Sequence, residues 1–302
     1  MHIAISFDHN YLNPFYALIT SIFENNRDVF IEFHCIIKGD VPKKKLAEIN
    51  EYIIKNGSVL NQYEVDENLI SQFVISGTWT TSVYYKMFFP LLVPDRVGKL
   101  IYLDTDMLVI GDLKSLFEMN LDNYALGAVF DNYVKIQPEI GIIEEDKYFN
   151  SGMLLFNVPR WKELKLSEKA INFLAQYPEK IKFVDQCALN AVCVGHWLRL
   201  PMKYNLLYSY IPQYISSHDL KKFINDVVVI HFTLHRPWHL LCANRLRTIY
   251  IKYMIQLGIP FQNRIIDFSI RKIPSLLKLR FVEFYFDSFL LQKVWRFFKV
   301  IK

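Results

Sequence analysis

Four apolar residues, Leu100, Ile101, Tyr102 and Leu103, run without interruption into Asp104-Thr105-Asp106, and this junction limits what the chain can become. An apolar run of strand length that ends in carboxylates reads as a buried strand of an open α/β sheet, because ligands bind beyond the carboxyl ends of such strands. In an extended Asp-Thr-Asp the side-chain period of two puts both carboxylates on one side, so Asp104 and Asp106 are expected to share one ion. Oxygens of this kind suit hard divalent cations that complete their coordination with phosphate or water. An isolated D-x-D is common in solvated turns. The strand in front of this one sets it apart.

The flanking sequence agrees with a mostly parallel sheet. Apolar runs predict strands at Ile3–Phe7, Ile31–Ile37, Ser58–Glu64 and Leu100–Leu103. Between them, Pro14–Glu24 and Lys43–Asn56 have helical spacing, the second stopped by Gly57. Thr80, Thr81 and Ser82 offer caps for a further helix through Tyr84–Phe89. Beyond the two aspartates the pattern is less regular, with apolar runs at Tyr124–Phe130 and Gly152–Val158, an amphipathic helix at Leu166–Tyr177 and a strand at Val227–Phe232. The fold class expected is α/β, one domain over residues 1–260 followed by a distinct tail over 261–302.

The chain has 302 residues, 52% of them hydrophobic and 22% charged, enough to bury a full core. Its four cysteines, Cys35, Cys187, Cys193 and Cys242, show neither C-x-x-C pairing nor zinc-ligand spacing, which fits a reducing cytoplasm. MHIAISFDHN lacks a basic leader with a long apolar run and reads as a first buried strand. Charge is uneven. Residues 263–302 carry nine Lys or Arg against three Asp or Glu, more than the whole net charge of +5. Phe281, Phe284, Tyr285, Phe286, Trp295 and Phe298 are interleaved with these bases, in runs too short to span a membrane. Aromatic anchors with Lys and Arg predict a helix lying on an anionic membrane surface, with packing onto the domain or a partner subunit as the competing expectation. The aromatics are too dense for a stripe that tracks nucleic-acid phosphates.

Other polar residues fall where a doubly wound sheet would gather them at one end. Asp8 and Asn10 follow the first strand, Asp131 follows an apolar run, Asn150 and Ser151 precede one, and Asp185-Gln186 opens a helix. His231, within VVVIHF, could turn a neutral imidazole toward a metal held by carboxylates.

In that order the chain resembles the retaining glycosyltransferases of family 8, through ISFDHNY, TSVYYKMFFPLLVPDRVGKLIYLDTDMLVIGDL, YFNSGMLLFNV, VDQCALN and HFTLHRPWH, from about Ile3 to Trp238. The resemblance implies a Rossmann-like, GT-A-type nucleotide-sugar fold. It implies that Asp104, Asp106 and His231 hold Mn²⁺ or Mg²⁺ against the diphosphate of a UDP-hexose, galactose or glucose, and that Asp8, Asn10 and Tyr11 lie against the uridine. Lys86, usually arginine in the family, would contact the donor together with Thr105. Asp131, Asn150 and Asp185 would grip the sugar hydroxyls, Gln186 would lie beside the anomeric carbon, and Arg236 would face the diphosphate. Gln186 and Asp185 are thereby the catalytic candidates. Leu234 and His235 stand where the family often has glycine, and Cys187 where an acidic residue is common.

The reading is a metal-dependent transferase that moves a hexose to a hydroxyl of a surface glycan such as lipopolysaccharide, held at the inner face of the membrane by its tail. Two rivals are a nucleotidyltransferase, for which Gly57-Ser58 is too far from the aspartates, and a nucleotide-sugar-binding relative without turnover.

Overall fold

The computed structural model describes residues 1–75, 80–213, 215–288, 290–291 and 293. Its core is a seven-stranded sheet in the order β3-β2-β1-β4-β7-β6-β8, made of β1 (His2–Phe7), β2 (Glu32–Ile37), β3 (Val59–Tyr63), β4 (Lys99–Leu103), β6 (Leu126–Phe130), β7 (Phe149–Asn157) and β8 (Trp197–Leu200). The short strands β5 (Met107–Val109) and β9 (Val229–His231) form a separate antiparallel pair. β1, β2, β3 and β4 are parallel, as the β-α alternation of the first hundred residues predicts. β7 runs against both β4 and β6. The carboxyl ends of β1, β4 and β6 and the amino end of β7 therefore share one edge of the sheet.

Residues of β1 alternate between two cores because both faces of the sheet are covered. Ile3, Ile5 and Phe7 pack with Phe15, Leu18 and Ile22 of α1 (Leu12–Asn25) and with Ile49 and Ile53 of α2 (Lys43–Lys55). Ala4 lies on the opposite face with Tyr102, Phe156 and Trp161, where Trp161 donates to Ser167 Oγ at 2.9 Å. Asn56 caps α2, and Gly57 follows at φ +70°, a left-handed residue that lets the chain turn into β3.

Three local expectations are corrected. Residues 81–87 form a 3₁₀ helix, and no side-chain cap bond comes from Thr80, whose hydroxyl instead donates to Asp8 Oδ2 at 2.9 Å and meets Ser82 Oγ at 2.6 Å. The strand over the apolar run Gly152–Val158 starts three residues earlier, so Asn150 and Ser151, which precede that run, lie inside β7. The pairing of β6 with β7 jumps from Ala128–Leu154 to Val129–Asn150, so Ser151, Gly152 and Met153 have no partner on β6. A bulge of this kind re-aims side chains at a sheet end. Finally, Asp104-Thr105-Asp106 is a turn between β4 and β5, not an extended segment.

The amphipathic helix appears at Leu166–Gln176 and the tail helix at Ile273–Asp287. Trp295 and Phe298 lie outside the described residues. Among the described residues no helix is long and apolar enough to cross a membrane.

Candidate active site

A cavity of about 570 Å³ opens at the shared edge of the sheet. β4 delivers Asp104 to it, and the pairing of Met107 with His231 carries that histidine beside Asp106. His231 Nε2 lies 3.1 Å from Asp106 Oδ1, and the ligand atoms of Asp104, Asp106 and His231 are all within 4.8 Å of one another. Gly152 makes room for the ring. A Cβ built there would fall 2.2 Å from His231 Cε1 and 2.8 Å from Met107 Cε.

The environment treats the two aspartates differently. Burial and the neighbouring Asp106 raise the Asp104 carboxyl above the usual range, against the pull of Lys86. Burial acts on Asp106 in the same direction, but the neighbouring His231, Arg236 and Lys86 together outweigh it and hold that carboxyl low. The Tyr102 hydroxyl donates to Asp104 Oδ1 at 2.7 Å, and burial keeps the phenol protonated.

Lys86, only 2% exposed, joins this end of the cavity to the other. Its Nζ lies 3.1 Å from Asp104 Oδ1 and 2.9 Å from Asp185 Oδ2, and it donates to the Ser151 carbonyl at 3.2 Å. Burial alone would lower the lysine, yet the two carboxylates raise it above its ordinary value, so it stays charged. Where arginine would offer a planar fork, lysine acts as a point charge shared among oxygens of Asp104, Asp185 and Ser151.

Asp131, Asn150, Asp185 and Gln186 form the far wall. Asn150 Nδ2 donates to Asp131 Oδ2 and to Gln186 Oε1, both at 3.1 Å, while its Oδ1 accepts from the Gly152 amide at 3.0 Å and from Asn205 at 2.9 Å. All four hydrogen-bonding positions of the Asn150 amide are thus taken by protein. Gln186 Nε2 donates to Asp131 Oδ2 at 3.2 Å, and Ser151 Oγ donates to Asp185 Oδ2 at 2.7 Å. Val184, which opens the helix Val184–Val192, has φ +34°, a rare conformation for a β-branched residue and one that sits directly before Asp185.

Tyr11, Thr105 and Arg236 also line the cavity, with the Arg236 guanidinium 5.7 Å from the Tyr11 ring centroid. Burial pushes the Tyr11 phenol up to about 12. Asp8 and Asn10 do not line it. Asp8 is buried and accepts from the Asn10 amide and from Thr80, while Asn10 faces solvent. Leu234, 72% exposed at the rim, has φ +63°, the left-handed conformation in which glycine is at ease.

Residues 2–242 match the sequence profile of glycosyl transferase family 8. The chain belongs to that family. General stress protein A of Bacillus subtilis (strain 168) is 28% identical over 268 residues, which cover 84% of this chain and 93% of that protein. A lipopolysaccharide 1,2-glucosyltransferase of Escherichia coli is 30% identical over 242 residues, covering 77% and 71%. In fold, the galactosyltransferase LgtC, solved with donor and acceptor sugar analogues, superposes with a TM-score of 0.74 at 21% identity over 91% of this chain and 99% of that one.

For a family 8 glycosyltransferase the donor set Asp104, Asp106 and His231 fits a divalent cation. Two carboxylate groups and an imidazole converge there, and the nitrogen of His231 away from Asp106 is held 3.0 Å from Asn205 Oδ1, the outer support that metal-binding histidines generally have. A second group, His2, Glu32 and His34, lies at the opposite edge of the sheet, where Glu32 holds Arg96 through both oxygens at 3.0 and 2.8 Å. The sequence does not single out Tyr102, Gly152 or Asn205. Tyr102 reads as an apolar strand residue, although its place two residues before Asp104 puts it on the same face. Nothing local marks Asn205, which reaches the site through the pairing of distant segments.

Proposed function

We propose that this glycosyltransferase moves a hexose from a UDP-sugar to a hydroxyl of a surface glycan, with retention of anomeric configuration and with a divalent cation held by Asp104, Asp106 and His231. The observation that carries the reading is the arrangement of one cavity: two carboxylates and an imidazole close together at one end, a wall of carboxylates and amides at the other, and Lys86 between them.

A bound Mn²⁺ or Mg²⁺ would supply positive charge for the departing diphosphate. The chain's own residues do the rest. Lys86 and Arg236 add cationic charge along the cavity, fixed before the glycosidic bond breaks. Asp131 and Asp185 offer acceptors for sugar hydroxyls. Tyr11 gives the nucleotide a face to pack against, and Thr105 lies between the two cation-binding carboxylates.

Retention by attack on the same face as the leaving group is favoured over a covalent intermediate. Gln186 is an amide and a weak nucleophile, and its Oε1 already accepts from Asn150 and from the Ser151 amide at 3.1 Å. Asp185 is drawn into bonds with Lys86 and Ser151.

The tail supports placement at a membrane surface. On the helix Ile273–Asp287, Leu277, Phe281 and Phe284 are more than 60% exposed, beside Lys278, while Glu283 turns inward to Arg247. Deleting residues 263–302 is expected to move the protein from membrane to soluble fractions and to leave donor hydrolysis intact; unchanged membrane association rejects this role.

The deciding assay incubates the purified protein with Mn²⁺ and a panel of UDP-sugars, with and without EDTA, and quantifies free UDP. Release from one sugar, abolished by EDTA, is the expected result and names the donor. Tight UDP-sugar binding with no release under any acceptor would establish a binding-only relative instead.

A further inference from the structure

We propose that Asn205 is a positioning residue that keeps one nitrogen of His231 free to bind the cation, an inference that rests on the cation reading above. Asn205 is fully buried at the end of the 3₁₀ helix Met202–Tyr204, outside the motifs that carry the aspartates and the histidine.

The amide of Gly152 can only donate, and it donates to Asn150 Oδ1 at 3.0 Å. The Asp131 carboxylate accepts, and Asn150 Nδ2 lies 3.1 Å from it. These two contacts fix which end of the Asn150 amide is oxygen. Asn205 meets that oxygen at 2.9 Å and therefore presents its Nδ2 there. Its own Oδ1 is left facing His231 Nδ1 at 3.0 Å. An oxygen that can only accept requires Nδ1 to carry a proton.

In the neutral ring, Nε2 then bears the lone pair, and it lies 3.1 Å from Asp106 Oδ1. Two acceptors face each other across a gap that a positive charge has to fill. Without the Asn205 carbonyl, the neutral ring would gain most by moving its proton to Nε2 and donating it to Asp106. That proton would stand where the cation binds. The Asn205 oxygen thus opposes a tautomer that competes with the metal, and the Gly152 amide sets its orientation from two residues away in the chain of bonds.

Two measurements on the full chain test this. In protein labelled with ¹⁵N-histidine and loaded with Mg²⁺, long-range ¹H–¹⁵N spectra report which ring nitrogen bears the proton, His231 being assigned by its loss in His231→Gln. Wild type is expected to show Nδ1 protonated and Nε2 bare, and Asn205→Leu to lose that signature. Mn²⁺ affinity, read as free Mn²⁺ by electron paramagnetic resonance without donor, is expected to fall about 10- to 100-fold in Asn205→Leu. Asn205→Asp, protonated on the oxygen that faces Asn150 Oδ1, keeps both a donor there and an acceptor toward Nδ1, and is expected to bind Mn²⁺ within about threefold of wild type, a rescue that also serves if the leucine variant fails to fold.

Wild type that binds no Mn²⁺ overturns the cation reading and this inference together. Wild type that binds it while Asn205→Leu binds equally well, a bare Nδ1 in wild type, or a more than tenfold loss in Asn205→Asp overturns the inference alone.

Discussion

Single atoms decide much of the site. Gly152 has no side chain, and any Cβ there would enter the space of the His231 ring. Gly152→Ala is expected to tilt or displace that ring and to weaken Mn²⁺ binding at least tenfold, while the thermal midpoint falls by only a few degrees; calorimetric titration with Mn²⁺ and a melting curve separate the two effects. At this scale the sequence was partly readable. Asp104, Asp106, Asp185 and Gln186 stand next to strand or helix boundaries, so their convergence follows from the α/β pattern alone. Tyr102 was hidden because a tyrosine in an apolar strand has the same appearance whether its hydroxyl is idle or bonded to a carboxylate. Asn205 was hidden because its partners Asn150 and His231 lie 55 and 26 residues away.

Among the elements, those with strong periodicity were legible: the first four strands, α1, α2 and the helix at 166–176 all appear within a few residues of where spacing puts them. At 81–87 a run of hydroxyl residues looks like a helix cap, whereas the Thr80 hydroxyl is committed to the buried Asp8. The bulge in β7 had no signal, since it comes from pairing with two neighbours in different registers. The tail helix shows how polar contacts can dock an element with an exposed apolar face. Glu283 is held by Arg247 through two bonds of 2.7 Å, and Asp287 by Arg245 and Ser217. Glu283→Gln removes a charge from a partly buried pair and is expected to cost about 1–2 kcal/mol locally. Amide exchange in residues 273–287 should quicken about tenfold with β1 and β4 unchanged; equal exchange would mean that the ion pairs do not hold the helix.

For the whole molecule, acid sensitivity is written into the sheet edge opposite the cavity. His34 is fully buried, bonded to Tyr63 Oη at 2.8 Å and to His2 at 3.1 Å, and burial lowers it to about 4. The unfolded chain takes up that proton near pH 6.5 and the folded chain only near 4, so stability is full above 6.5 and declines as pH falls between these values. The loss from this group is about 3 kcal/mol. Melting temperatures across that range should fall more steeply in wild type than in His34→Gln, and parallel curves would assign the acid sensitivity elsewhere.

The cation set also straddles two pieces of architecture. Asp104 hangs from the end of the seven-stranded sheet, whereas Asp106 and His231 sit at the end of the β5–β9 pair. An ion bound to all three would act as a rivet between them. Its occupancy then becomes a contribution to folding: at a hundred times the dissociation constant the folded form gains about 2.7 kcal/mol. Melting under graded Mn²⁺ would read that gain directly, and amide exchange in β5 and β9 would show whether the ribbon is what tightens.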